Sequence, residues 1–264
     1  MKKIMTIFGT RPEAIKMAPL VKALEQDPDL EPIVVVTAQH REMLDSVLNI
    51  FGVTPQYDLN VMKVGQTLSG ITSKSIVKLE DIIQDVMPNM VLVHGDTLTT
   101  FSGALAAFYN QVPIGHVEAG LRSYEKYSPF PEEVNRQMVG VMADLHFAPT
   151  YHAAQNLIKE GKLPDQVVIT GNTAIDAMNF TISNHYTSQI IEKHKDKKVV
   201  LLTAHRRENI GQPMINIFKA VKKIIDDYED LVLIYPVHMN PKVRELAHKY
   251  LGNHPRVAVS YTHL

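Results

Sequence analysis

Cysteine is absent from the 264 residues, which excludes disulfides, thiolate metal sites and a cysteine nucleophile and suits a reducing cytoplasm. Surplus charge is absent too. The 27 basic side chains face 28 acidic ones, a net charge of −1, so neither nucleic acid nor an acidic membrane surface is an expected partner. No apolar run approaches the roughly 20 residues that span a bilayer. The start, MKKIMTIFGT, lacks the long apolar core and small-residue cleavage site of a signal peptide. No GxGxxG follows the first strand-like run, which argues against NAD, and no HExxH or Gly-x-Ser-x-Gly spacing offers a zinc or serine-hydrolase centre. The expected cofactor and metal content is none.

What is present is a 45% hydrophobic, 21% charged chain in which strand-like and helix-like runs alternate. Apolar runs at 4–8, 32–37, 90–94 and 114–118 read as buried strands, with helical patterns at 19–25, 40–51, 67–87 and 99–109. Such alternation predicts βαβ units and a parallel sheet covered on both faces, an α/β fold. A second series follows: strands at 199–203 and 231–235, helices at 213–227 and 241–251, and a last strand opening at Val257. The expected organisation is a first Rossmann-like domain over 1–170, a connector over 171–198 and an incomplete second Rossmann-like domain over 199–257. Residues 258–264 are expected to be a non-native tail on a C-terminally truncated chain.

In open α/β sheets ligands bind beyond the carboxyl ends of the strands, so the polar residues just after each strand matter most. Gly9-Thr10-Arg11-Pro12-Glu13 leads into Lys16. A tight turn, a helix start and two cations suit a phosphate, and a plain βα turn with solvated charges suits the same residues. Asp96, in His94-Gly95-Asp96-Thr97, is either a carboxylate aimed into the crevice or a helix N-cap. Glu118 ends the next strand before Gly120 and Arg122, where a structural partnership with an arginine is the commoner fate. Glu132 and Glu133 fall in the first turn of a helix after Pro129 and Pro131, complementing its dipole, with Arg136 four residues beyond Glu132. His205, Arg206 and Arg207 follow the strand at 199–203, and His238 follows that at 231–235. Both groups suit a diphosphate or a solvated loop.

Eight segments in order are far more specific than any one of them: GTRPEAIKMAPL (9–20), TAQHREML (37–44), VHGDT (93–97), GHVEAGLRS (115–123), PFPEEVNR (129–136), GNTAIDA (171–177), TAHRREN (203–209) and YPVHMNP (235–241). The series closely resembles bacterial non-hydrolysing UDP-N-acetylglucosamine 2-epimerases over nearly the whole chain. The resemblance implies a glycosyltransferase-B-like architecture, two Rossmann-like domains facing across a cleft that holds the nucleotide sugar. It implies a cytoplasmic homodimer that interconverts UDP-GlcNAc and UDP-ManNAc without metal or NAD, for surface polysaccharide synthesis. It further implies elimination of UDP to 2-acetamidoglucal and its re-addition. Asp96, Glu118, Glu132 and His205 would be catalytic, while Arg11, Lys16, Arg136, Arg206 and His238 would bind the substrate. Gln39 and His40 match part of a second, allosteric site that some relatives carry. Glu42 and Gly65 depart from that pattern, so allosteric activation is not expected. A nucleotide-sugar glycosyltransferase of the same fold and an inactive UDP-binding fragment are the competing readings.

Overall fold

The computed structural model describes all residues except 38–40, 62–64, 184–186, 207–208, 239 and 261–264, and the side chains of 41–43. Two compact units divide the chain, Met1–Ile182 and Ser183–Leu264.

The first unit is built on a seven-stranded sheet, all of whose pairings are parallel. Its strands are β1 (Lys2–Phe8), β2 (Leu30–Val36), β3 (Tyr57–Asp58), β4 (Met90–His94), β5 (Ile114–Val117), β6 (Leu145–Ala148) and β7 (Val167–Ile169). Their order in space is β3-β2-β1-β4-β5-β6-β7. The order reverses between β1 and β4. At such a switch point the loops leaving two neighbouring strands diverge to opposite faces and open a crevice.

Helices cover both faces. Helices α3 (Leu68–Val86), α4 (Leu98–Tyr109) and α5 (Glu132–Met142) bury Leu79, Ile83, Ala104 and Val139 against Ile7, Val35 and Val93. Helices α1 (Arg11–Glu25), α2 (Arg41–Phe51) and α7 (Thr173–Thr181) bury Met17, Val21, Leu44 and Ala177 against Phe8, Val36 and Leu92. Burial on both sides is why the strands read as nearly continuous apolar runs. Threonine starts four of the helices. Thr10, Thr67, Thr97 and, on α6 (Tyr151–Lys159), Thr150 each accept a hydrogen bond from a first-turn N–H.

Helix α1 begins at Arg11, eight residues ahead of the helical run at 19–25, and carries Pro19 within it. The proline removes one ladder bond, which masks the helix in the sequence, while the Thr10–Glu13 capping box fixes the true start. Part of the expected connector at 171–198 is α7, which packs on α1; the division of the chain falls after α7, at Ile182.

The second unit holds a parallel sheet of β8 (Lys198–Leu201), β9 (Leu231–Pro236) and β10 (Val257–Ser260), in the order β10-β9-β8. Short α8 (Gln189–Lys193) precedes it. Helices α9 (Gln212–Asp227) and α10 (Pro241–Leu251) bury Met214, Phe218, Val243 and Leu251 against Leu233 and Tyr235. Residues 258–260, expected in a tail, pair with 234–236 of β9. The fold is therefore α/β with two Rossmann-like units, the second built on three strands.

Candidate functional site

The turn after β1 is locked from within. Gly9 and Thr10 both donate their N–H to Glu13 Oε2, at 3.0 and 2.7 Å, and Glu13 N–H is capped by Thr10 Oγ1. The other carboxyl oxygen, Oε1, accepts from Thr97 Oγ1 at 2.6 Å and Thr100 Oγ1 at 3.2 Å, both in the β4–α4 segment. One buried carboxyl thus ties the two strand ends that flank the switch point. The N–H groups of Gly9, Thr10 and Glu13 are all taken by these bonds and are not available to an anion. The cationic side chains of the segment are Arg11 and Lys16. Gly9 is required by close approach, since a Cβ there would lie 1.9 Å from Thr37 Oγ1.

Thr97, and not Asp96, caps α4. That frees the Asp96 carboxylate, which pairs with the Arg136 guanidinium from α5, while Asn135 Nδ2 donates to the Asp96 carbonyl at 2.9 Å. Arg136 does not form the i,i+4 pair with Glu132; its partners are Asp96 and Glu133, the latter at 3.5 Å. Glu133 is fully buried and structural. It accepts from Ser123 N–H and Tyr124 N–H at 3.0 Å each and from Gln137 at 2.8 Å. Glu132 stays half-buried, with its charge bearing on Asp96. Burial holds Asp96 above the usual carboxylate range; Arg136 opposes this and the charges of Glu132 and Glu118 add to it. A carboxyl moved towards neutrality is suited to take and return a proton.

Glu118 follows β5 with φ at +63°, a left-handed conformation that costs a non-glycine residue energy. The result is a carboxylate turned onto Lys16, whose Nζ lies 2.5 Å from Oε2. Asn172 Nδ2 lies 3.3 Å from the same oxygen, and His94 Nε2 3.9 Å from it. The expected arginine partner is absent: Arg122 instead pairs with Glu160 by two bonds of 2.8 and 2.7 Å.

Two features brace this loop. Gly120, at φ +85°, would place a Cβ 2.2 Å from the Ala153 carbonyl oxygen, and its own carbonyl accepts from Asn156. Gly120→Ala is expected to cost about 2–3 kcal/mol, read as a lower urea midpoint with unchanged slope. The Arg122 side chain is wholly buried, whereas Glu160 is 29% exposed. Arg122→Met is expected to cost about 2–3 kcal/mol, below the full range for a buried pair because water reaches Glu160. An unchanged midpoint would show the pair to be incidental.

In the second unit the ring of His205, just after β8, stacks on that of His238, after β9, with centroids 5.1 Å apart. His238 Nδ1 accepts from Asn240 N–H at 3.1 Å, and Tyr235 Oη donates to the Ala204 carbonyl at 2.7 Å. A recess of about 350 Å³ beside them is lined by Thr203, Ala204, His205, Arg206, Asn209 and Ile217. Arg206 and His238 are both exposed.

The first unit thus brings together Lys16, Asp96, Glu118 and Arg136, with Glu132 beside them and Arg11 exposed at the first position of α1. The second brings together His205 and His238. Gln39 and His40 lie outside the described residues. Glu13, Asn135 and Asn172 were not singled out by sequence; the Thr10-x-x-Glu13 spacing was the available signal for the first. Among the described residues no group of three or more His, Asp or Glu side chains is placed to hold a metal ion, and no helix is long and apolar enough to cross a membrane.

Residues 22–263 match the family described as UDP-N-acetylglucosamine 2-epimerase. The chain is 58% identical to the Bacillus subtilis UDP-N-acetylglucosamine 2-epimerase over 255 residues, which are 97% of this chain and 67% of that one. Among solved structures, it is similar to S. aureus MnaA in complex with UDP, at 72% identity and a TM-score of 0.88, covering 98% of this chain and 69% of that one. It is also similar to the Neisseria meningitidis UDP-GlcNAc 2-epimerase bound to UDP-GlcNAc, at 43% identity and a TM-score of 0.86, covering 99% and 72%. On sequence and fold alike, the chain belongs to the UDP-N-acetylglucosamine 2-epimerase family.

Proposed function

We propose that the protein interconverts UDP-GlcNAc and UDP-ManNAc by elimination and re-addition of UDP, supplying cell-surface polysaccharide synthesis from the cytoplasm as a homodimer. The observation that carries this reading is the pairing of two strand-end carboxylates, Asp96 and Glu118, with two cations, Arg136 and Lys16, beside the switch point.

The chemistry needs those groups. The bond between C1 and the diphosphate oxygen breaks with its electron pair going to the diphosphate, and C1 becomes cation-like. That acidifies the C2 proton, which a carboxylate removes, leaving the C1=C2 double bond of 2-acetamidoglucal. In the return step a proton is delivered to the other face of C2 as the diphosphate oxygen attacks C1. Arg11, Lys16 and His205 stabilise the charge developing on the diphosphate. Asp96, Glu118 and Glu132 are the candidates for the two proton transfers. Arg136 aligns Asp96, and Arg206 and His238 add contacts to the nucleotide.

Incubating the protein with UDP-GlcNAc and following the anomeric protons by NMR tests the reading. UDP-ManNAc accumulating to a fixed ratio is the expected result. Free ManNAc with UDP would mean hydrolysis, and an unchanged spectrum until an acceptor is added would mean glycosyl transfer.

A further inference from the structure

His94 ends β4 beside the crevice and is 4% exposed, and neither of its ring nitrogens has a hydrogen-bond partner among the described residues. Buried polar atoms of this kind are rare and ask for a purpose. Glu118 after β5 lies 3.9 Å from Nε2, the charge of Lys16 from α1 bears on the ring, and the ring couples electrostatically to His116 on β5. Burial first, and the Lys16 charge second, push His94 down to about 3, so the ring is neutral and carries one N–H at physiological pH.

Lys16 is the only cation paired with Glu118 among the described lysines and arginines, at 2.5 Å. A lysine that also binds the diphosphate has to loosen that contact as negative charge builds on the leaving group. Glu118, with its side chain only 14% exposed, would then keep only the Asn172 amide, 3.3 Å from Oε2, as a donor. His94 Nε2 stands 3.9 Å from the same oxygen, about 1 Å beyond a hydrogen bond. A small turn of the carboxylate closes that gap.

The geometry points to His94 as a positioning residue that takes over from Lys16 as the donor to Glu118 when Lys16 turns to the diphosphate of the nucleotide sugar. A neutral donor suits this hand-over because it orients the carboxylate without adding a charge that would compete with Lys16. The inference rests on the proposed function for the identity of Lys16's second partner, and on geometry for His94 itself.

Histidine-selective ¹⁵N NMR tests it, with the His94 signal assigned by its loss in His94→Gln. The proton is expected on Nε2. Its resonance should move downfield and exchange more slowly both in Lys16→Met and on saturating the unaltered protein with UDP, and Glu118→Ala should abolish both effects. A ring protonated on Nδ1, or a resonance unmoved in Lys16→Met, would overturn the inference. A resonance that moves in Lys16→Met but not with UDP leaves the His94–Glu118 contact standing and sinks the assignment of Lys16 to the diphosphate. In turnover, His94→Phe should lower kcat roughly tenfold with KM held, and His94→Gln, which keeps an N–H donor, should recover most of it. Equal losses in the two variants, with equal loss of thermal stability, would reduce His94 to a packing residue.

Discussion

Glu13→Ala is expected to destabilise the protein by about 3–4 kcal/mol, a large fraction of the stability of an ordinary domain. The carboxyl is 2% exposed and accepts four hydrogen bonds. Removing it strands two backbone N–H groups of the β1–α1 turn and leaves a void beneath Thr97. Glu13→Gln should cost much less, because the threonine hydroxyls can reverse and accept from the amide while the remaining oxygen keeps Gly9 and Thr10. The pair also has a pH signature. Burial holds Glu13 above its usual value of 4.5, against the pull of its hydrogen bonds to Thr97, Thr10 and Gly9. A raised acid contributes stability that is fully present below the unfolded value and is lost as pH rises through the folded one. The stability advantage of the parent over Glu13→Gln should therefore shrink as pH rises above the usual value of 4.5, read from urea midpoints across a pH series. An advantage that grows over the same interval would mean that the four donors outweigh burial.

Asp96→Asn and Glu118→Gln should each lower turnover by at least about a hundredfold while leaving the fold intact. Each change keeps the shape of the side chain and removes its capacity to take a proton. The two variants differ in what else they disturb. Asp96→Asn leaves Arg136 with Glu133, so its stability should change little. Glu118→Gln leaves Lys16 without its carboxylate and retains the left-handed backbone at 118, so a small stability loss should accompany the kinetic one. Isotope exchange at C2, measured apart from net epimerisation, assigns the faces: a variant that exchanges but does not epimerise has lost the residue on the far face. Activity within a few-fold of the parent in both variants would remove these carboxylates from the chemistry.

Much of the fold was legible in the sequence because the first sheet is buried on both faces. Its strands 32–37, 90–94 and 114–118 could hardly read otherwise. The legible part stopped where the pattern was short or interrupted. Pro19 hid the first half of α1, and β6 and β7, at four and three residues, are too short to carry periodicity. Helix α7 was taken into the connector because one buried residue, Ala177, gives no stripe to see.

The site divided along another line. Strand-end position singled out Asp96 and Glu118, which the structure places just after β4 and β5, since position follows from strand order. Partnerships did not follow. Arg136 passes over Glu132 for Asp96, and Arg122 passes over Glu118 for Glu160, because those choices are made across elements 38 to 40 residues apart in sequence. Glu13 shows the same limit, since a capping-box glutamate looks local until its second oxygen is found on Thr97 and Thr100.

If these carboxylates exchange the proton at C2 of a nucleotide sugar, solvent deuterium must enter there. The protein is incubated with UDP-GlcNAc in D₂O and the C2 position is read by NMR in the recovered UDP-sugars. UDP-ManNAc carrying deuterium at C2 is the expected product. A C2 proton retained in every UDP-sugar, with or without a change of configuration, would contradict it.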